Sequence, residues 1–394
     1  MLAFLDLLLL VLAMCAALPS LWFLLECVLG ALYRPRRAEL PELAGKRVAI
    51  LMPAHNEHVG IQHTVSALQA QLSATTKLYV VADNCSDDTA ALATQRGAHV
   101  LERHDSTRRG KGYALAFGIE HLAADPPAVV VIVDADCEVS AGGITRLAQA
   151  ALAADAPIQA DYWLAPSAAP SGRSVVSALA FLVKNRVRPR GLAALGQPCL
   201  LTGTGMAFPW PVLRKAPPTD DNLVEDMVMG LELAKLGHAP RLCPDVYVTS
   251  ALPERAQAAS AQRKRWEHGH LATLFTHAPK LVARGLATGR IELLALALDL
   301  LVPPLSLLVL LLLAGSVFCG AATLVGASAL PFTIFCTNVS AIGVGVFAGW
   351  FAYGRQLVRA RDLLAIPLYI LWKIPLYFSF FARGKQKAWE RTER

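Results

Sequence analysis

Ala128-Val129-Val130-Val131-Ile132-Val133, followed at once by Asp134-Ala135-Asp136, is the stretch on which the fold of this 394-residue chain turns. Six apolar residues, four of them valine, show no polar alternation. They read as a strand buried on both faces, the kind found in parallel sheets covered by helices. Two carboxylates just past its carboxyl end fall where open α/β sheets bind ligands. One such acid can meet a hard divalent cation through oxygen while the other takes a ligand hydroxyl. Alone, an Asp-x-Asp is more often a polar loop closing a strand, so its neighbours decide.

Outward from this strand, the pattern predicts strands over 47–53, 77–82, 98–102 and 157–164. Helices over 59–72, 87–96, 111–123 and 142–154 alternate with them, which implies a doubly wound, mostly parallel sheet. The strand ends then share one rim. There the first strand offers Pro53-Ala54-His55-Asn56-Glu57, and the second offers Asp83-Asn84-Cys85-Ser86-Asp87-Asp88-Thr89. Acidic and amide-rich loops beside Asp134 and Asp136 suit a ligand with many hydroxyls and a metal-bound diphosphate.

Other nucleotide motifs fail on inspection. Gly203-Thr204-Gly205 continues into Met206-Ala207-Phe208, which is no dinucleotide turn, and Asp105 stands where a P-loop ending at Gly110-Lys111 needs its first glycine. Arg108, Arg109 and Lys111 precede a helix and could receive a phosphate, or could form a solvated basic loop. Leu223-Val224-Glu225-Asp226 opens a helix to about Leu236, with Gly237 as its C-terminal stop. Acids in a first turn stabilise any helix, but one of this pair could serve as a general base. Gln262-Arg263-Lys264-Arg265-Trp266 reads either as a basic membrane-surface segment or as an amide, a guanidinium and an indole for a diphosphate and a sugar ring.

Hydrophobic residues make up 55% of the chain and the mean hydropathy is +0.43, too apolar for an ordinary soluble enzyme. The excess lies at both ends. Residues 1–33 are interrupted only by Asp6 and Glu26 and are long enough to span a bilayer as an uncleaved anchor. Arg34, Arg36 and Arg37 follow, placing the next segment, 46–255, on the cytoplasmic side. An interfacial segment is expected over 256–290 and a membrane region over 291–382, with spans at 304–326 and 331–353. The stretch 363–382 carries Lys373 and is read as interfacial or re-entrant rather than as a third span, before a basic tail over 383–394. The net charge of +7 is mostly membrane-flanking Arg and Lys, fitting anionic membrane lipids and not nucleic acid. Eight scattered cysteines without a C-x-x-C pair fit a reducing compartment.

In order, the PAHNE, DNCSDDT, RGKG, DAD, GTGMAFPW, ED and QRKRW segments resemble membrane-bound family 2 glycosyltransferases of the GT-A fold, nearest the branch with cellulose, hyaluronan and chitin-oligosaccharide synthases. The resemblance covers about 46–280 plus the anchor arrangement. It implies an α/β GT-A cytoplasmic domain with N- and C-terminal transmembrane helices in a bacterial inner membrane. It also implies a metal-dependent, inverting transfer from a nucleotide-sugar donor, UDP by default, with Mg²⁺ or Mn²⁺. The acceptor would be lipid-linked or a saccharide, in exopolysaccharide or glycolipid synthesis, where polysaccharide-assembly partners could join.

The same resemblance assigns roles. Pro53, His55, Glu57 and Asp83 would hold the nucleoside, Lys111 the nucleotide, Asp134 the donor's ribose or sugar and Asp136 the metal. Asp226, beside Glu225, would be the base. Gln262 and Arg265 would grip the diphosphate, Trp266 would floor the acceptor site, and Thr202, Gly203 and Thr204 would line it. Val224 stands where relatives often have Thr, and Asn84-Cys85 where many have Gly-Ser. A processive synthase that extrudes its polymer is the alternative, and an inactive membrane scaffold a third reading.

Overall fold

The computed structural model describes residues 2–35, 39–165, 172–217, 224–251 and 256–383. Arg36, Arg37, Leu223 and the basic tail beyond Arg383 lie outside them. The chain divides into two compact units, one of residues 34–167 and 197–262, the other of 1–33, 168–196 and 263–386.

Among its described residues the first unit has eight strands: β1 Val48–Ala54, β2 Thr76–Asp83, β3 His99–Arg103, β4 Val129–Ile132, β5 Cys137–Val139, β6 Ile158–Ala165, β7 Met206–Pro209 and β8 Arg241–Ala251. They form one sheet in the order β3-β2-β1-β4-β7-β6-β8-β5. β3, β2, β1 and β4 run parallel, as do β6 and β8. The sheet is thus mostly parallel, and the decisive apolar stretch is its centre: Val129 to Ile132 are fully buried. β7 lies antiparallel to both β4 and β6, pairing Met206 with Ile132 and with Gln159. Its reversed direction brings the loop before Met206 to the rim where β4 ends.

Helices Ile61–Gln69, Thr89–Gln95, Lys111–Leu122 and Gly143–Ala154 fall inside the expected ranges, with shorter ends. Leu51, Val81, Leu115 and Phe208 share the core beneath the Lys111 helix. Gly118 lets that helix press on the sheet, since a β-carbon there would come within 2.5 Å of Leu51. The Glu225–Lys235 helix ends as expected at Gly237, with φ +100°. His238 N–H donates to Leu233 O at 2.9 Å and Gly237 N–H to Ala234 O at 3.0 Å, the paired bonds of a left-handed helix stop.

Among its described residues the second unit holds four helical stretches long and apolar enough to cross a membrane: Leu2–Leu32, Leu305–Leu324, Leu330–Gly354 and Ala360–Ala382. The last is broken at Lys373 into Ile366–Trp372 and Ile374–Arg383. Lys373 is buried and ion-paired to Glu267. The segment over 256–290 is one long helix, Ala256–Thr288, whose later part belongs to this unit. So do helices Gly172–Leu182 and Arg188–Ala194, joined by a π-helical turn Val183–Val187, which sequence patterning did not separate from the sheet domain.

Both charges that interrupt the first apolar helix find partners here. Asp6 accepts the Ser328 N–H at 2.8 Å. Glu26 accepts from Arg188 Nε at 2.6 Å, and the same guanidinium pairs with Asp299. The backbones meet beside this cluster: a β-carbon on Gly191 would lie 2.0 Å from Glu26 O, and one on Gly30 2.0 Å from Val187 O.

Candidate active site

The rim of the first unit assembles from four sheet-end loops and two helix starts. At the end of β1, His55 donates its Nδ1–H to the carbonyl of Asp83 at 2.6 Å. Asn56, at φ +55°, accepts the Ser86 N–H at 2.7 Å. Glu57 N–H donates to Thr89 Oγ1 at 2.8 Å. The β1 and β2 loops are therefore laced together before any ligand arrives. Asp83 is buried and accepts from Arg103 Nη1 at 2.6 Å. Arg103 also reaches Asp105 at 3.1 Å and the Arg108 carbonyl at 2.8 Å, so it ties the basic loop to the Asp83 pocket. Asp105 in turn accepts from the Thr107 hydroxyl and the Arg108 and Thr107 amides, which bring its carboxyl down to about 2.

Lys111 is the hub of the second half of the site. Its ammonium lies 2.5 Å from Asp134 Oδ1 and donates to Gly203 O at 2.7 Å. Burial by itself would lower this lysine's pKa. The carboxylates of Asp134, Glu225 and Asp226 outweigh that and hold it above the ordinary range. Burial raises the carboxyl of Asp134; Lys111 opposes the rise, and Asp136 and Asp226 add to it. Gly203, at φ +93°, fits between the charges: a β-carbon there would come 3.2 Å from Asp226 Oδ2 and 3.3 Å from Lys111 Nζ. Three carboxylates around one ammonium, with Asp136 beside Asp134, leave an excess of negative charge.

The metal-ligand question can be tested on the donor atoms. Asp134, Asp136 and Cys137 each bring one donor, all within 4.8 Å of one another. Burial pushes the Cys137 thiol well up, so it stays protonated and donates to Asp136 Oδ1 at 3.4 Å. What remains is a carboxylate oxygen set, which fits Mg²⁺ or Mn²⁺ and not a thiophilic metal.

The structure thus brings Lys111, Asp134, Asp136, Thr202, Gly203, Thr204, Glu225 and Asp226 to one end of the sheet, with Pro53, His55, Glu57 and Asp83 along the same rim. Gln262 is the last residue of this unit's 197–262 stretch. Arg265 and Trp266 belong to the second unit, where the Trp266 ring lies 5.6 Å from that of Phe181. Two residues of consequence were not anticipated. Arg103 ends β3 in register with Asp83, a partnership visible only once the strand order is known. Gln159 is buried in β6; it accepts the Thr202 N–H at 2.9 Å and donates to Thr204 O at 2.9 Å, bolting down the 202–204 loop. Thr204 Oγ1 then accepts the Asp134 N–H at 3.1 Å. A lone amide in an apolar strand was the available signal.

Residues 45–269 match the family model described as glycosyltransferase like family 2. That is more than half of the chain, and the chain belongs to this family. Over 105 residues it is 34% identical to uncharacterized glycosyltransferases of Mycobacterium bovis and Mycobacterium tuberculosis. The match covers 27% of this chain and 44% of theirs, so the chain spans less than half the length of these relatives. A mannosyltransferase of Pyrobaculum calidifontis, solved with GDP-mannose and Mn²⁺, is similar with a TM-score of 0.54. The likeness covers 87% of this chain and 99% of that one at 18% identity, which speaks for the fold alone.

Proposed function

We propose that this protein is an inverting glycosyltransferase that moves a sugar from a nucleoside-diphosphate donor, UDP by the family resemblance, to a lipid-linked or saccharide acceptor. The setting we assign is a bacterial inner membrane, crossed more than once, with the sheet domain in the cytoplasm, in exopolysaccharide or glycolipid synthesis. The observation that carries the reading is the cluster of Asp134, Glu225 and Asp226 around Lys111 at the sheet edge, with Asp136 beside Asp134. A polyanionic donor does not approach four carboxylates unaided. A divalent cation on Asp136 would supply the charge that joins a diphosphate to this acidic rim.

The chain's own groups account for the rest. Asp83 and the 53–57 loop, laced to each other, form a rigid seat for the nucleoside. Lys111 fixes Asp134 for a donor hydroxyl and neutralises part of the field around Asp226. Asp226, in the first turn of its helix and facing Gly203, takes the proton from the attacking acceptor hydroxyl as the new bond forms. The diphosphate leaves with both electrons of the broken glycosidic bond, and Gln262 and Arg265 would stabilise the charge that develops on it. By the family resemblance, Trp266 and the Thr202 to Thr204 loop would each serve the acceptor. One displacement inverts the anomeric carbon and needs no covalent intermediate.

The test is product formation by the full chain in lipid with Mg²⁺ or Mn²⁺, a panel of labelled nucleotide sugars and a membrane lipid extract. A short lipid-soluble product establishes the transferase. The Gln262-to-Trp266 motif favours a second reading, a processive synthase, and a long lipidase-resistant polymer would establish that one. Inactivity on every donor would return the scaffold reading.

A further inference from the structure

The second unit contains a cavity of about 110 Å³ that shares Trp266 with the proposed acceptor site but is lined by cations to which that reading gives no role. Phe23, Phe181, Trp266 and Pro303 give it apolar walls, and Lys184, Arg188, Arg263 and Lys373 line it with cationic groups. Arg188 is already matched by Glu26 and Asp299, and Lys373 by Glu267. Arg263 is different. It lies 5.2 Å from the Trp372 ring, and its buried Nε has no hydrogen-bond partner among the described residues. The 20-residue helix Leu305–Leu324 begins at the same cavity, with Leu305 and Ser306 on its lining. No side chain caps that helix start, so its first amides and dipole favour an anion there.

A third group points to the ligand. His270 is 3% exposed and lines the cavity. Its Nε2 lies 3.2 Å from Leu300 O and 3.1 Å from Val302 O. Carbonyls only accept, so Nε2 carries the proton and Nδ1 is an acceptor. Nδ1 is buried without a partner among the described residues. The cavity is therefore lined by one residue with an unpaired donor and one with an unpaired acceptor, inside a unit whose described residues include four helices apolar enough to cross a membrane.

We propose that this cavity binds the head of an anionic membrane phospholipid that carries a hydroxyl. The phosphate sits on Arg263 and the first turn of the Leu305 helix, and a head-group hydroxyl donates to His270 Nδ1. The acyl chains stay outside the cavity. The inference concerns binding alone; the cavity shares Trp266 with the acceptor site proposed above, and a lipid-binding assay without donor reads it separately from transfer.

The test is saturation binding of labelled phosphatidylglycerol to the full chain in phosphatidylcholine nanodiscs, with melting temperature as a check on folding. The expected result is saturable binding that Arg263→Gln weakens by about tenfold or more, as loss of a charge-assisted hydrogen bond should. Ser177→Leu, which fills the cavity from another wall, should weaken it as well. Arg173→Gln is the control: Arg173 also lies 5.2 Å from Trp372 but does not line the cavity, and its binding should match wild type. Wild-type binding by both Arg263→Gln and Ser177→Leu would overturn the proposal. So would displacement of the lipid by millimolar inorganic phosphate, which would mark a free-anion site, or equal binding of labelled phosphatidylcholine.

Discussion

Both units surround a single cation with carboxylates, and the two clusters differ in what they leave accessible. At the sheet edge, the side chains of Lys111 and Asp134 keep 24% and 29% of their exposure. In the helical unit, Arg188 keeps 7%, Glu26 none and Asp299 7%. The first cluster has more acids than its lysine can neutralise, and it stays open to solvent. The second has its guanidinium held by two acids and by the Asp299 carbonyl, and it is closed. An open cluster with excess charge has work left for a ligand. A closed one joins the Leu2–Leu32, Arg188–Ala194 and Ile291–Leu301 helices, in surroundings where an unpaired charge is expensive.

The contrast can be broken at either end. Asp226→Asn should lower transfer by on the order of 10²–10⁴-fold while donor binding and melting temperature hold, because only the proton acceptor is lost; single-turnover kinetics and donor titration would show it. Arg188→Leu should have the opposite profile. It leaves Glu26 and Asp299 buried without their cation and should cost about 3–5 kcal/mol, read as a fall in melting temperature and folded yield. The triple variant Glu26→Gln, Arg188→Leu, Asp299→Asn should recover much of that loss; failure to recover would mean that the cluster does more than hold helices together.

Gly203→Ala sharpens the comparison from inside the open cluster. At φ +93° the new side chain strains the backbone, by about 1–3 kcal/mol, and pushes into Asp226 and Lys111. Activity should fall more than stability, and an unchanged kcat would remove Gly203 from the site. Asp105→Asn should have the smallest effect, confined to the basic loop. The folded-state carboxyl is depressed to about 2, so its contribution is present above the ordinary aspartate range near pH 4 and is lost as pH falls through 2. Wild type and variant should therefore differ in melting temperature at pH 6 and converge near pH 2.

Much of the sheet was legible because its signals are local. A six-residue apolar run, a polar loop behind it and a helix period after that are read within a dozen residues. The first five predicted strands and their helices follow from such runs. β7 was not, since four residues opening with Met206 carry little pattern, and their place between β4 and β6 depends on strands far away in the chain. The expected site residues divide in the same way. Asp83, Asp134, Asp136 and Asp226 stand at element boundaries that local patterning finds. Arg103 and Gln159 act through partners that only strand register and the reversed β7 bring near.

By itself, the sequence determined the buried strand before Asp134-Ala135-Asp136, the alternating α/β order, the ordered motifs of the family and the apolar ends, all of which are short-range properties of side chains and spacing. Only the tertiary structure decided which charges meet. Glu26 finds Arg188 across 162 positions and Arg188 finds Asp299 across 111, while Lys111 reaches Gly203 across 92. Local spacing carries no information about such pairs. Burial raises the free-energy cost of every unmatched charge, and the fold is the arrangement in which those distant partners are within reach.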